Sequence, residues 1–136
     1  RALSGITPAG WDATEAPGEW SPRQVVHHLA DSETTSAIRL RRVLVEDDPL
    51  IQGYDQDAFA RVLHYDRDPT LSLHLFRAVR ASTAELIERL TESDWHRSGT
   101  HSDTGPYTLD DWLRIYGVHA HEHADQIRRA RAAVGS

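Results

Sequence analysis

The 136-residue chain contains no cysteine, which excludes disulfides, thiolate metal ligands and thiol nucleophiles. Any metal chemistry must therefore use nitrogen and oxygen donors. No apolar run approaches the roughly twenty residues a membrane span needs, and no signal-peptide core is present; the expectation is a soluble, cytoplasmic protein with no membrane partner. Excess positive charge is also missing. With 15 Lys and Arg against 21 Asp and Glu, the formal charge is −6, whereas a nucleic-acid partner requires a basic face to displace counterions from phosphates. The densest basic patch, Arg39, Arg41 and Arg42, lies at helical spacing beside Glu33, Glu46 and Asp47 and reads as a solvated face. Glycine-rich phosphate loops, a GxSxG elbow and an HExxH motif are all absent.

The length suits one domain covering residues 1–136, burying roughly two thirds of the surface of its unfolded form. A chain that opens on Arg1 rather than Met reads as trimmed, so an amino-terminal helix would be incomplete.

What the sequence does hold is helical periodicity. From Ser21 to about Asp47, Val25, Val26, Leu29, Ala30, Ala37, Leu40, Val43 and Leu44 share one broad face. Ser21 is the expected N-cap, Pro22 sits at the first helical position, Gln24 completes a capping box, and Pro49 closes the segment. Asp68 and Pro69 open a second long helix to about Leu90. A third runs from Leu109 to about Ala132, with Thr108 and Asp111 repeating the capping signature. Shorter helices are expected after Thr7 and after Asp55, and Ser98 to Tyr107 reads as a loop or short hairpin. Three long helices and a partial fourth predict an all-α fold, a four-helix up-down bundle with long connections.

Histidines supply the chemistry. In VHAHEHADQIRR, His119 and His123 stand at i and i+4 and can aim two imidazoles at one point. At 100° per residue the apolar stripe of this helix comprises Leu109, Leu113, Tyr116, Ala120 and Ile127, with Trp112 at its edge. His119 and His123 border that stripe, while His121 projects about 120° away and faces solvent. On the first long helix both His27 and His28 fall outside the apolar centre. His28 is nearer to Val25, Ser32 and Ser36 and is the preferred third nitrogen. Asp31, three residues after His28, is placed to accept the proton on its non-ligating nitrogen, and Glu122 or Asp125 could do likewise on the last helix. Asp31 and Glu122 are also the candidate general bases. The bland alternative is that helix-edge histidines are hydrogen-bonded surface residues; His64, His74, His96 and His101 are read that way, and the four tryptophans as core or interface aromatics, with Trp20 as a hydrophobic staple before Ser21.

GEWSPRQVVHHLADSE, the following IRLRRVLVEDDPLIQGYDQ and the terminal HAHEHADQI together resemble the DinB superfamily, most closely its YfiT-like branch of metal-dependent hydrolases. The likeness covers about Gly18 to Ile127. It implies a four-helix bundle holding one divalent metal ion per chain, zinc or nickel, on His28, His119 and His123, with His27 as the rival first ligand. It also implies an enzyme acting on a small-molecule substrate, as a possible homodimer. Three neutral imidazoles with an open position describe a reactive site rather than a closed structural one. Hydrolysis by activated water is the leading expectation. The alternatives are S-transfer using a low-molecular-weight thiol such as bacillithiol or mycothiol, and a non-catalytic module that binds a metal or ligand.

Overall fold

In the computed structural model, which describes residues 1–135, the chain runs α1 (Pro8–Trp11), α2 (Pro22–Val45), β1 (Leu50–Ile51), α3 (Gln56–Val62), α4 (Thr70–Ile87), α5 (Glu92–Trp95), β2 (Ser98–His101), β3 (Gly105–Thr108) and α6 (Leu109–Ala132). The long helices begin where side chains can satisfy the amide groups that have no partner within the helix. Ser21 Oγ accepts from the Gln24 amide at 3.3 Å while Gln24 Oε1 accepts from the Ser21 amide at 2.9 Å. Thr108 and Asp111 exchange the same pair of bonds at 3.0 Å each. Thr91 and Asp94 form a third box that starts the unforeseen α5. At the far end of α2, Asp48 adopts a left-handed φ of 42° before Pro49 and turns the chain into β1.

α2 is the central element, packed against both α4 and α6, while the short α1 lies against α2 and α6. One apolar cluster joins Leu40 and Val43 of α2 to Ile51, Tyr107, Leu109, Trp112 and Tyr116. A second, towards the other end of α2, gathers Val25, Val26 and Ile127, with Trp20, Leu29 and Leu73 at its edge. Fully burying an aliphatic side chain of this size contributes about 1.5–3 kcal/mol, so these clusters dominate the packing. The inward face of α6 is rotated from the expected stripe: Trp112 is buried and Leu113 is 45% exposed. The cause is polar as well as steric. Trp112 Nε1 donates to the Ser36 carbonyl of α2 at 2.8 Å, which draws the indole in.

Two further polar ties cross the helices. Arg80 of α4 forms a fork on the buried Glu33 of α2, at 3.1 and 3.0 Å, and its Nη2 lies 3.5 Å from the Tyr116 carbonyl of α6. The all-α expectation is extended by a small sheet. β2 and β3 make the antiparallel hairpin, and β1 joins β2 in parallel, Leu50 opposite Thr100. Gly99 permits the close approach of that edge to the preceding turn, since a Cβ there would stand 2.7 Å from the Pro49 carbonyl oxygen. Among the described residues no helix is long and apolar enough to cross a membrane.

Candidate metal centre

α2 and α6 cross so that His28 meets His119 and His123, residues some ninety positions away. His119 Nε2 lies 3.1 Å from His123 Nε2 and 3.4 Å from His28 Nε2. One nitrogen from each ring falls within 4.8 Å of the others. Three nitrogens placed tetrahedrally about 2.0–2.1 Å from one Zn²⁺ would stand roughly 3.3 Å apart, close to the separations from His119 to His123 and to His28. The rings themselves are nearly perpendicular, His119 to His123 at 88° with centroids 4.5 Å apart. Edges, not faces, therefore converge.

Proton bookkeeping makes this geometry informative. His123 Nδ1 lies 2.8 Å from Gln126 Oε1. A carboxamide oxygen can only accept, so the ring carries its proton at Nδ1 and turns an Nε2 lone pair towards His119. If His119 also presents a lone pair there, two acceptors face each other at 3.1 Å. If instead it carries the proton at Nε2, His28 has two choices. It either opposes that proton with one of its own, or holds its proton at Nδ1, which is buried and has no hydrogen-bond partner among the described residues. The one neutral arrangement without opposed groups at Nε2 has His119 donating from Nε2 and leaves the His28 Nδ1 proton buried without a partner. A cation would accept all three Nε2 lone pairs at one point, and the converging neutral nitrogen donors fit a divalent ion.

Burial pushes the His28 imidazole down to about 3, with the neighbouring His123 and His119 adding to the effect. His119 is lowered to about 4, by burial first and then by His123 and Arg80. Both are neutral at ordinary pH, the state in which imidazole donates a lone pair.

Beyond the rings, the surroundings differ from expectation. Both histidines of the first cluster are buried, not outside the apolar centre: the α3–α4 connection covers His27, and Trp20 with the two α6 histidines covers His28. His27 Nε2 donates to the Arg67 carbonyl at 2.9 Å, and its Nδ1 meets Ser72 Oγ at 2.6 Å and Arg67 Nη1 at 3.0 Å. Its hydrogen-bonding capacity is used within the fold, away from His119 and His123. Asp31 does not reach His28; its carboxylate accepts from the Tyr65 hydroxyl at 2.7 Å. Glu122 and His121 are exposed, and Asp125 pairs with Arg128 across the α6 surface. His74, His64 and His96 are likewise exposed, and His101 accepts from the Asp103 amide.

Three neighbours of the rings are given no part in the metal site by the sequence reading. Ser32 Oγ lies 3.4 Å from His119 Nδ1, one turn after His28. Gln126 follows His123 by three residues. Trp20 stands before the α2 cap with its ring centroid 4.7 Å from that of His28. Helical spacing alone exposes the first two; the third depends on how the loop folds back. A cavity of about 230 Å³, lined by Glu19, Trp20, Gln56, Asp57, His123 and Gln126, opens onto the His123 edge of the cluster.

Comparison with known proteins agrees with this architecture. The sequence model of the DinB superfamily matches residues 1–127. The chain is 34% identical to the Bacillus subtilis protein named "Putative metal-dependent hydrolase YfiT", over 99% of this chain and 77% of that protein. A Bacillus licheniformis protein of the same description is 36% identical over 91% of this chain and 72% of its own length. The solved structure of YfiT from Bacillus subtilis, described as a probable metal-dependent hydrolase with an unusual four-helix bundle topology, superposes with a TM-score of 0.90. It covers 98% of this chain and 78% of that one. In sequence and in fold, the chain belongs to the DinB superfamily.

Proposed function

We propose that this protein is a divalent-metal-dependent hydrolase whose ion is held by His28, His119 and His123. The observation that carries the proposal is the convergence of the three Nε2 atoms, His119 standing 3.1 Å from His123 and 3.4 Å from His28, with one nitrogen of each ring within 4.8 Å of the others. Three neutral nitrogen donors suit Zn²⁺ or Ni²⁺, and relatives named for metal-dependent hydrolysis share the fold. When bound, the ion supplies Lewis acidity, which polarises a scissile group and makes water a competent nucleophile near neutral pH.

The chain's own residues then have separate tasks. Burial keeps His28 and His119 unprotonated. Gln126 holds the His123 proton on the side away from the cluster. Trp20, against the His28 ring, shields that side from water, leaving the cavity beside His123 as the way in for a small-molecule substrate.

The test combines metal analysis of protein purified without chelators with turnover assays on ester, amide and phosphoester panels. His28→Ala, His119→Ala and His123→Ala should each lose most of the bound ion and the accompanying hydrolysis. Unchanged metal content in both His119→Ala and His123→Ala would overturn the site. Turnover of electrophiles only when a low-molecular-weight thiol is added would replace hydrolysis with S-transfer.

A further inference from the structure

The three rings differ in what their outward nitrogens meet, and that difference assigns a role to Gln126, one that rests on the three-histidine site proposed above. His123 Nδ1 donates to Gln126 Oε1 at 2.8 Å, and His119 Nδ1 faces Ser32 Oγ at 3.4 Å. His28 Nδ1 has no partner among the described residues. Metal-bound histidines commonly donate to carboxylates, which fix the ring and raise its basicity. Here the nearby carboxylates do otherwise: Glu19 and Asp57 line the neighbouring cavity without bonding a ring, and the rest are engaged elsewhere. Asp31 accepts from Tyr65, Glu33 is held by Arg80, and Asp125 by Arg128. Among the described residues no carboxylate hydrogen-bonds to any of the three rings. The spacing of His123 and Gln126 places the amide beside the ring for as long as α6 is helical, since side chains three apart are neighbours.

We propose that Gln126 is a positioning residue with an electrostatic consequence. It fixes the His123 tautomer and orientation as a carboxylate would, but adds no negative charge. A divalent ion on three neutral imidazoles, whose outward nitrogens face an amide and a hydroxyl, would gain no negative charge from its ligands or their partners; the carboxylates of Glu19 and Asp57 stand further out, along the cavity. Attraction between charges strengthens as water is excluded. The open position would therefore attract an anionic group of the substrate or nucleophile more strongly than it would with a carboxylate in the place of Gln126.

Azide serves as the anionic probe, followed by the visible absorption of the Co²⁺-loaded protein, and metal affinity is measured by chelator competition. Gln126→Leu should weaken metal binding about 10- to 100-fold, the usual cost of losing a histidine's outer partner. Gln126→Glu should restore the metal affinity of the parent or exceed it, yet weaken azide binding about tenfold, because the new charge lies next to the site. Parent-like metal affinity in Gln126→Leu overturns the positioning role. Parent-like azide affinity in Gln126→Glu overturns the charge argument. Both results leave the ligand assignment standing, since that falls only if His119→Ala and His123→Ala retain their metal.

Discussion

Arg80 and Glu33 are paired but unequally buried, so removing either one should have different consequences. The Glu33 side chain is 10% exposed and that of Arg80 is 39% exposed. Removing one member of a fully buried pair costs about 3–5 kcal/mol, and an exposed pair is worth about 0–1 kcal/mol. Arg80→Met strands a carboxylate inside the helix junction and removes the contact to the Tyr116 carbonyl, so its cost should fall between the exposed and buried ranges, about 2–3 kcal/mol. Glu33→Gln leaves Arg80 free to turn its guanidinium to water and should cost only about 1 kcal/mol. At this chain length those losses correspond to roughly 6–12 °C and 3–4 °C in Tm. The double variant should be less destabilised than the sum, because the stranded carboxylate is absent. Urea unfolding of the metal-free protein, followed by circular dichroism, measures all four corners of this cycle. A cost for Arg80→Met equal to or below that for Glu33→Gln would refute the reasoning.

Other perturbations are equally specific. Trp112→Phe removes the donor to the buried Ser36 carbonyl and should destabilise by about 1–3 kcal/mol in the same unfolding assay. Gly99→Ala forces a methyl against the Pro49 carbonyl; a lowered Tm with selective loss of amide-exchange protection in β1 and β2 is expected. Burial pushes the Tyr65 and Tyr107 phenols above their ordinary value of 10, with the bond to Asp31 adding to the rise for Tyr65. The unfolded chain then releases these protons first, so stability is retained below pH 10 and falls as pH rises above it. Urea midpoints should drop between pH 9 and pH 11, less steeply in Tyr65→Phe. His27→Ala should lower Tm through loss of its bonds to Ser72 and Arg67 while the folded variant retains metal, the reverse of His28→Ala; equal metal loss in both would contradict the separation of their roles.

Much of the fold is legible because its signals are local. Ser21 with Gln24 and Thr108 with Asp111 announce the starts of α2 and α6, and the apolar periodicity carries each helix to its end. The same signature at Thr91 and Asp94 is passed over because the helix it starts is only four residues long. β1 is invisible for a different reason. Two residues carry no alternation, and their partner strand is about fifty positions away. At the site, the His119–His123 pair follows from helix geometry alone. The convergence of His28 with them depends on the crossing of α2 and α6, which no local pattern encodes. The mistaken placement of Asp31 has the same origin. Its spacing from His28 suits a shared helix face, but Tyr65, brought in by the α3–α4 connection, takes the carboxylate instead.

The separation between His28 and His119 is 91 residues, and this sets an order in time. During synthesis, α2 leaves the ribosome with a single nitrogen of the triad, an imidazole with no preorganised companion. The other two follow only once α3, α4 and the hairpin have been made. An ion taken up by the nascent chain before that point would meet isolated histidines, and a site able to hold it tightly can form only after α6 has docked. Metal capture would thus report completed folding rather than initiate it, and a captured ion would act as a late clasp between two distant stretches of chain, in opposition to the closure entropy of a long loop.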